Sequence, residues 1–339
     1  MNKVAQPLEI GGVTLPNRVF LAPMSGVTDL PFRQRAHAHG AGLVVSEMIA
    51  SAEYCKDRPE SRLRAGFGAL PVRMLQLAGR EPYWMAEAAR VAEANGADII
   101  DINMGCPAKK VTGGYSGSAL MRDPDHALSL IEATVNAVNV PVTLKMRLGW
   151  DNTSINAPEI ARRAETSGVR MITVHGRTRM QLYTGRADWH RVAEVRAVTT
   201  VPLVVNGDIG STPDVAAALA ASGADAVMVG RQACGRPWLP GELAGQGGCG
   251  DTKIPAPDAV AMADYVVAHY EDMLAHYGTA AGVRHARKHL GWYLDRCDGA
   301  TPDLRKMVLT AARPETVIDL LRRAFFTPSE IPLAESVAA

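Results

Sequence analysis

The chain has 339 residues, of which 47% are hydrophobic and 21% are charged, a composition typical of globular proteins that excludes a mainly disordered chain. Its 36 basic and 35 acidic residues give a net charge of +1, so charge alone indicates no nucleic-acid partner. No apolar run is long enough to cross a membrane and no basic, apolar leader opens the sequence, so we expect a soluble cytoplasmic protein.

Short apolar runs rich in β-branched residues recur through the first two thirds of the chain. Most are apolar at consecutive positions, as is typical of parallel strands covered by helices on both faces. The eight runs are VFLAPM, GLVVSEM, VRMLQL, ADIIDIN, VTLKMR, MITVHG, PLVVNG and DAVMVG. Their ends are 25, 29, 27, 42, 30, 31 and 24 residues apart, the length of a strand-helix-strand unit. Eight such units predict a closed (β/α)8 TIM barrel.

Segments rich in Ala and Glu between the runs predict helices. One of them, STPDVAAALAASG, has Ser211 as a candidate N-cap and Pro213 just inside the helix. A Gly- and Pro-rich stretch follows the last run, and the sequence from Asp258 to about residue 326 predicts further helices. We therefore expect a barrel over 1–243, a linker over 244–256, a small C-terminal helical domain over 257–330 and a flexible tail over 331–339.

Polar residues stand near the end of nearly every apolar run. In a barrel the carboxyl ends of all strands meet on one face, where enzymes of this fold build their active sites. One such residue alone would more often be a structural group that its neighbours satisfy, but a set at eight strand ends predicts a site. The set is Met24, Ser25, Glu47, Gln76, Asn103, Lys145, Arg147, His175, Asn206, Asp208 and Arg231.

The segment DINMGCPAKKVTGGYSGSAL, residues 101–120, is the longest polar and Gly-rich excursion of the predicted barrel. Cys106 stands near its start, and we interpret it as a reactive thiol rather than an inert buried cysteine. Residue type leaves open whether it acts as a nucleophile or as a proton donor. The five cysteines include no CxxC pair, which argues against a disulfide framework or an iron–sulfur cluster, and we predict no metal site.

Two loops have features of phosphate-binding sites. The segments 204–214 and 224–238 each contain the end of a predicted strand and the residues after it, where backbone N–H groups would bind an anion beside a cation. Lys145 should face an anion or an electron-rich ring, with a structural ion pair as the alternative. The GxGxxG match at 245–250 follows no strand, so we interpret it as linker rather than as a dinucleotide site.

Ten motifs, taken in order, resemble the pattern of bacterial tRNA-dihydrouridine synthases. They are APMSGVTDLPFR, SEMI, QLAG, DINMGCPAKKV, GSAL, PVTLKMRLGW, VHGRTR, NGDI, GRPW and HARKHLGWYL. The resemblance runs from about residue 8 to 325 and is closest to the B-type branch. DINMGCPAKKV, VHGRTR and NGDI are the most specific of the ten, and no position that the family uses for chemistry departs from the pattern.

The resemblance implies a flavoprotein oxidoreductase with a bound FMN, which NADPH reduces before leaving. The substrate would be a D-loop uridine of tRNA, reduced at its C5=C6 bond, and Cys106 would supply the proton to C5. The implied cofactor contacts are Pro23, Met24, Ser25, Gln76, Lys145, His175, Asn206, Gly207, Asp208, Gly230 and Arg231.

The resemblance also implies tRNA as the partner, with no obligate protein partner, and a target base that leaves its stack to reach the flavin. The charge of the predicted helical domain is near balance, so the cluster RHARKH and the cations of the barrel mouth must supply the phosphate contacts. The candidates are Asn103, Arg147 and Arg177 for the uracil edge, and Lys109, Arg179, Arg284, Arg287 and Lys288 for the surrounding RNA.

Two other functions stay open on the residues alone. A flavin barrel that acts on a free pyrimidine could use a similar loop, but it would need no basic cluster in a helical domain. An RNA-binding regulator without catalysis would have no need of Cys106, Lys145 and His175. Turnover of free uracil-like compounds would identify the first, and a purified protein without colour would indicate the second.

Overall fold

The computed structural model describes residues 3–245 and 255–325. The chain forms two compact units, one of Met1–Ala233 with Pro237–Pro255 and one of Cys234–Arg236 with Ala256–Ala339. Residues 234–236 group with the second unit, since a Cβ on Gly235 would lie 2.6 Å from the Trp292 carbonyl oxygen. The GxGxxG match beyond Gly245, Cys249 and the tail predicted at 331–339 lie outside the described residues.

The described part of the first unit contains strands, α-helices and short 3-10 turns. The strands are β1 Leu8–Ile10, β2 Val13–Leu15, β3 Val19–Leu21, β4 Leu43–Val44, β5 Ile49–Ala50, β6 Met74–Ala78, β7 Ile99–Met104, β8 Val142–Arg147, β9 Ile172–His175, β10 Leu203–Asn206 and β11 Ala226–Val229. The helices are α1 Leu30–Ala38, α2 Ser51–Cys55, α3 Pro59–Ala65, α4 Pro82–Ala94, α5 Lys109–Thr112, α6 Pro124–Val135, α7 Ala157–Thr166, α8 Trp189–Arg196, α9 Thr212–Ser222 and α10 Leu239–Leu243. The 3-10 turns are Lys3–Ala5, Gly117–Arg122 and Arg231–Ala233.

Strands β3 to β11 form one sheet in the order β4-β3-β11-β10-β9-β8-β7-β6-β5, with parallel neighbours throughout. A parallel bridge between Val45, the residue after β4, and Met74 of β6 closes this sheet into a barrel. The predicted TIM barrel is confirmed.

The second predicted strand, GLVVSEM, is interrupted between β4 and β5. The Ser46 hydroxyl, rather than a backbone carbonyl, accepts the N–H of Gln76 at 2.9 Å, so the backbone ladder breaks there. The carboxylate of Glu47, the residue after the break, accepts a hydrogen bond from the backbone N–H of Gly26. The interruption therefore directs a buried acid toward the turn that follows β3.

The hairpin of β1 and β2 was not among the predicted strands. The two strands pair antiparallel, and Leu8, Ile10 and Leu15 are buried in one apolar cluster with Phe20. The hairpin therefore covers the amino end of the barrel. Its strands of three residues each are too short to show a clear alternation in the sequence.

Side chains along each strand alternate between two environments, because the strand repeat is two residues. Ile100 and Ile102 of β7 belong to the core between strands and helices, whereas Asp101 and Asn103 face the barrel interior. The lower interior layer, near the amino ends, is apolar and contains Phe20, Leu43, Val45, Met74, Ile99, Met171, Val204, Ala226 and Met228. The upper interior layer, near the carboxyl ends, is polar and contains Gln76, Asp101, Asn103, Thr143, Lys145, Arg147, Thr173, His175 and Asn206.

The second unit consists, in its described part, of α11 Met262–Tyr277, α12 Thr279–Leu294, α13 Pro302–Thr310 and α14 Pro314–Phe325. The prediction that helices follow the barrel is thus confirmed. Ser211 caps α9 as predicted, its hydroxyl accepting the Asp214 N–H at 3.3 Å. No helix within 3–245 or 255–325 is long and apolar enough to cross a lipid bilayer.

Candidate active site

The strand register brings the polar residues of the upper interior layer into three neighbouring rows. Side chains that are distant in sequence therefore lie side by side at the carboxyl end of the barrel, which we call the mouth. The rows of paired positions are Gln76, Asp101 and Thr143, then Asn103, Lys145 and Thr173, then Arg147, His175 and Asn206.

A continuous series of hydrogen bonds runs from β8 to Cys106. Thr143 Oγ1 and Gln76 Nε2 each donate to the Asp101 carboxylate at 2.6 Å. Gln76 Oε1 accepts from Asn103 Nδ2 at 2.7 Å, and Asn103 Oδ1 accepts the Cys106 N–H at 3.0 Å. We call these residues the Asp101 network. Because a carboxylate only accepts, Asp101 fixes the orientation of both amides and through them the backbone at Cys106.

Asp101 was not among the predicted site residues, because it lies inside an apolar run. Burial raises the pKa of its carboxyl to about 6, and the hydrogen bonds from Gln76 and Thr143 and the charge of Lys145 oppose that rise. The sequence does contain an indication that Asp101 is a site residue, since a charged residue within the apolar run ADIIDIN is unusual. Neither its interior orientation nor its partners were visible without the register.

Cys106 lies partly buried where the chain leaves β7. Burial raises the pKa of its thiol, and a backbone hydrogen bond at Ala108 and the charges of Arg147 and Lys145 oppose the rise. The thiol is therefore protonated near neutral pH. This favours the proton-donor role over the nucleophile role, which needs a thiolate.

The segment after Cys106 is folded into α5 and a 3-10 turn rather than extended as a loop. The Ser118 hydroxyl donates to the Cys106 carbonyl at 2.9 Å. Gly117 has a φ of 60°, and a Cβ there would lie 2.9 Å from the same carbonyl. A glycine is needed at this position for the Cys106 loop to close.

Lys145 is buried at the centre of the upper layer. Its Nζ donates to Asn206 Oδ1 at 3.1 Å, while Asn206 Nδ2 donates to the Met228 carbonyl at 2.8 Å. Burial, followed by the charge of Arg147, lowers the pKa of Lys145 to about 8. Within the described ranges no carboxylate lies at ion-pair distance from Nζ, so the alternative of a structural ion pair has no support there. The ammonium retains donors for an anionic ligand.

His175 is neutral at physiological pH. Burial and the charges of Arg147 and Lys145 hold its pKa well below the ordinary 6.5. Arg177 Nη1 lies 3.2 Å from His175 Nε2. Because a guanidinium only donates, Nε2 accepts and the ring proton resides on Nδ1. The ring therefore offers one N–H donor at the mouth.

Two of the predicted substrate contacts, Arg147 and Arg177, are buried and connect loops to each other. Arg147 donates to the carbonyls of Gly105, Thr178 and Leu182 at 2.8 to 2.9 Å. Arg177 donates to the Asp208 carboxylate at 2.6 Å, and also to carbonyls of residues 184 and 185. Most of their donors are used inside the protein, so their contact with substrate stays a prediction that the geometry does not favour.

The two predicted phosphate loops meet near His175. Gly207 has a φ of 117°, and a Cβ there would lie 2.8 Å from His175 Cδ2. A Cβ on Gly230 would have its nearest neighbour only at 4.0 Å, so this backbone is open. Arg231 follows it with a side chain that is 56% exposed. The Asp208 carboxylate accepts from Arg177 and its other oxygen lies 3.8 Å from Arg231 Nη2, so Asp208 is an ion-pair partner of these arginines rather than a direct contact of a bound anion.

Tyr183 is an aromatic at the mouth that the sequence reading missed. It is half exposed, and its ring lies 5.6 Å from the Arg147 and 4.4 Å from the Arg231 guanidinium carbon. Its ring centroid is 6.5 Å from that of His175. An aromatic within a polar segment that follows a strand was the available signal.

The other predicted residues lie in three places. Pro23 and Met24 are half-buried and Ser25 is exposed in the turn after β3. Lys109 is exposed in α5, and Arg179 stacks against Trp150 with its guanidinium carbon 4.8 Å from the ring. The last three, Arg284, Arg287 and Lys288, belong to α12 of the second unit, where the first two are exposed.

Comparison with known proteins decides the family. Residues 20–327 match the family described as Dihydrouridine synthase (Dus). The chain belongs to the dihydrouridine synthase family. It is 58% identical over 313 residues to a probable tRNA-dihydrouridine synthase of Rhizobium leguminosarum bv. phaseoli, covering 92% of this chain and 96% of the relative. It is 46% identical to tRNA-dihydrouridine synthase B of Xanthomonas axonopodis pv. citri, with 94% and 96% covered. The resemblance, including that to the B-type branch, is confirmed.

Solved structures similar to this chain share its fold at low identity. One is TcOYE with pHBA, at a TM-score of 0.53 and 14% identity, covering 73% of this chain and 93% of that one. Another is a variant of NCR from Zymomonas mobilis, at a TM-score of 0.51 and 21% identity, with 72% and 91% covered. At these identities the likeness extends to the fold alone.

Proposed function

We propose that this protein is a tRNA-dihydrouridine synthase that binds FMN, uses NADPH as its transient reductant and reduces the C5=C6 bond of a D-loop uridine. The family and the names of its relatives support the reaction class. The observation that carries the proposal is the protonated Cys106 thiol held by the Asp101 network beside the buried Lys145 ammonium. With tRNA as substrate, the proposed location is the cytoplasm.

The mouth fits a flavin mononucleotide in two respects. Lys145 is a buried cation whose partner in the described structure is a neutral amide, so an electron-rich ring would compensate its charge. Gly230 has open backbone beside the half-exposed Arg231, which suits a phosphate. The remaining proposed contacts are Pro23, Met24, Ser25, Gln76, His175, Asn206, Gly207 and Asp208, of which Asp208 would act through Arg177. When bound, FMN supplies the hydride that C6 of the uracil receives.

Cys106 gives its proton to C5 of the uracil. The raised pKa keeps the thiol protonated until transfer, and the charges of Arg147 and Lys145 stabilise the thiolate left behind. Lys145 also balances negative charge that develops at the mouth, and His175 Nδ1–H can donate to an acceptor there. Asn103 lies in the row of Lys145, and in this proposal the second N–H of its Nδ2, beside the one that Gln76 accepts, donates to the uracil edge.

The second unit supplies RNA contacts in this proposal. Arg284 and Arg287 are exposed on α12, and Lys288 is half-exposed next to them. Cations at this spacing on one helix suit phosphates rather than base edges. Their replacement should weaken binding of all tRNAs alike and should reduce its salt dependence.

The test is the visible spectrum of the purified protein, followed by flavin reduction with NADPH and reoxidation by unmodified tRNA. We expect a yellow protein in which Cys106→Ala lowers the tRNA-dependent rate by about 10²- to 10⁴-fold while NADPH still reduces the flavin. Cys55→Ala, at another partly buried cysteine, is the matched control and should behave as wild type. Reoxidation by free uracil without tRNA would favour the free-pyrimidine function, and a colourless protein would refute the flavin assignment.

A further inference from the structure

Four side chains at the mouth form an alternating series of aromatic rings and guanidinium groups. The Arg122 guanidinium carbon lies 6.0 Å from the Tyr115 ring and 5.0 Å from the Trp150 ring. The Arg179 guanidinium carbon lies 4.8 Å from the same Trp150 ring. We call these four residues the Trp150 stack. Two guanidiniums held by one indole form a preorganised cationic surface.

The Trp150 stack stands on three loops of the first unit that follow neighbouring strands. Arg122 lies in the loop after β7, Trp150 follows β8 and Arg179 follows β9, so all three are on the face of Cys106. The loops are bonded to each other. The Arg179 N–H donates to the Gly149 carbonyl at 3.0 Å, and the Met180 N–H donates to the Trp150 carbonyl at 2.9 Å. The surface is therefore positioned by the barrel itself.

The arginines of the stack differ from Arg147 and Arg177 in what they contact. In 3–245 and 255–325 neither the Arg122 nor the Arg179 guanidinium has a carboxylate at ion-pair distance, and neither guanidinium donates to a backbone carbonyl. Arg179 Nη1 contacts the Met180 sulfur at 3.3 Å, and its Nε is buried without a hydrogen-bond partner. Arg122 is exposed. The stack thus retains donors that the buried arginines have used.

We propose that the Trp150 stack binds single-stranded RNA next to the target uridine. This inference rests on the proposed function. Guanidinium planes and aromatic rings stack on unpaired bases, and guanidinium N–H groups bind phosphates, so an alternating series fits the alternating bases and phosphates of a strand. The target uracil leaves the stacked bases of the RNA to enter the mouth, so the bases on either side of it lose a stacking partner. In this proposal the side chains of the Trp150 stack take the place of that partner. NADPH carries one such base and is the competing ligand.

The experiment measures the affinity of wild type and variants for an unmodified tRNA transcript over a series of salt concentrations, and the KM for NADPH in flavin reduction. We expect Arg122→Ala and Arg179→Ala each to weaken tRNA binding several-fold and to reduce the salt slope by about 0.7 to 0.9. Arg162→Ala removes an exposed charge from α7 and is the matched control, expected at the wild-type value. Trp150→Phe should retain affinity, while Trp150→Ala should lower it about 10-fold or more.

Two outcomes would overturn the proposal. If Arg122→Ala and Arg179→Ala match Arg162→Ala in affinity and salt slope, the stack does not touch RNA. If the arginine variants instead raise the KM for NADPH and leave the affinity for tRNA unchanged, the Trp150 stack binds NADPH rather than RNA. The arginine variants retain Trp150, so they decide the question even where Trp150→Ala fails to fold. Failure of wild type to reoxidise with tRNA would refute the proposed function, whereas equal behaviour of variants in an active enzyme refutes only this inference.

Discussion

The lower and upper interior layers of the barrel lie on the same strands and use their interior positions in opposite ways. The lower layer is apolar, and its buried side chains lower the free energy of the folded state. The upper layer buries three charged groups, and the pKa of each shifts toward the neutral form, upward for Asp101 and downward for Lys145 and Arg147. Burial of these charges costs stability, which indicates that the upper layer is maintained for chemistry.

The largest expected effect on stability is in the lower layer. Phe20 is fully buried there, and Phe20→Ala should lower the free energy of unfolding by about 3 to 5 kcal/mol through lost burial and a residual cavity. Urea unfolding measures the change, and the rate per folded molecule should stay at the wild-type value. A loss below about 1 kcal/mol would mean that this layer is not a main source of stability.

Lys145→Met should act in the opposite direction on stability. The folded pKa of about 8 lies below the ordinary 10.5, so the folded state binds fewer protons between these values and wild-type stability rises with pH across that window. Without flavin, the variant should therefore unfold at pH 7 with a free energy up to about 3 kcal/mol higher than that of wild type without flavin. This difference in stability should decrease toward pH 10.5. Flavin binding should be lost. Equal unfolding curves at pH 7 would contradict the cost assigned to the buried ammonium.

Asp101 tests whether the upper layer works as a network. Asp101→Leu leaves Gln76 Nε2 without its acceptor, which should cost about 1 to 3 kcal/mol and lower the tRNA-dependent rate by about 10-fold or more. Asp101→Asn retains an acceptor oxygen and should recover much of that rate.

The carboxyl pKa of Asp101, about 6, lies above the ordinary 3.8, so wild-type stability should fall as pH rises from about 4 to 6. Asp101→Asn should remove that slope, and its persistence would point to another group.

The smallest expected effect is that of Thr143→Val, which removes one hydrogen bond to Asp101 and leaves the side toward Cys106 intact. Stability should fall by about 0.5 to 1.5 kcal/mol, and the tRNA-dependent rate should stay within about twofold of wild type. Single-turnover reoxidation measures the rate. A rate loss equal to that of Asp101→Leu would show that the position of Cys106 depends on the carboxylate as a whole, not on its bond to Gln76.

Much of the fold followed from local pattern. Consecutive apolar positions and the regular spacing of the apolar runs predict parallel strands with covering helices, because both patterns follow from the order of residues in the chain and need no tertiary contacts. Cys106 and Lys145 were predicted for the same reason, as polar residues directly after or at the end of apolar runs. The break between β4 and β5 was missed because it depends on the Ser46 hydroxyl meeting a strand 30 residues away.

Eight strand-helix units, with their polar ends on one face, could be predicted from the amino-acid pattern alone, since hydrophobic periodicity and unit length are properties of the chain. The partners of each polar group became visible only in the folded barrel, because hydrogen bonds across strands depend on register. The sequence shows Asp101 only as a residue within a strand. In the barrel its carboxylate is the acceptor that orients the amides of Gln76 and Asn103. Likewise, the sequence does not distinguish the arginines of the mouth from one another. In the fold, backbone carbonyls accept from the guanidiniums of Arg147 and Arg177, whereas those of Arg122 and Arg179 contact aromatic rings.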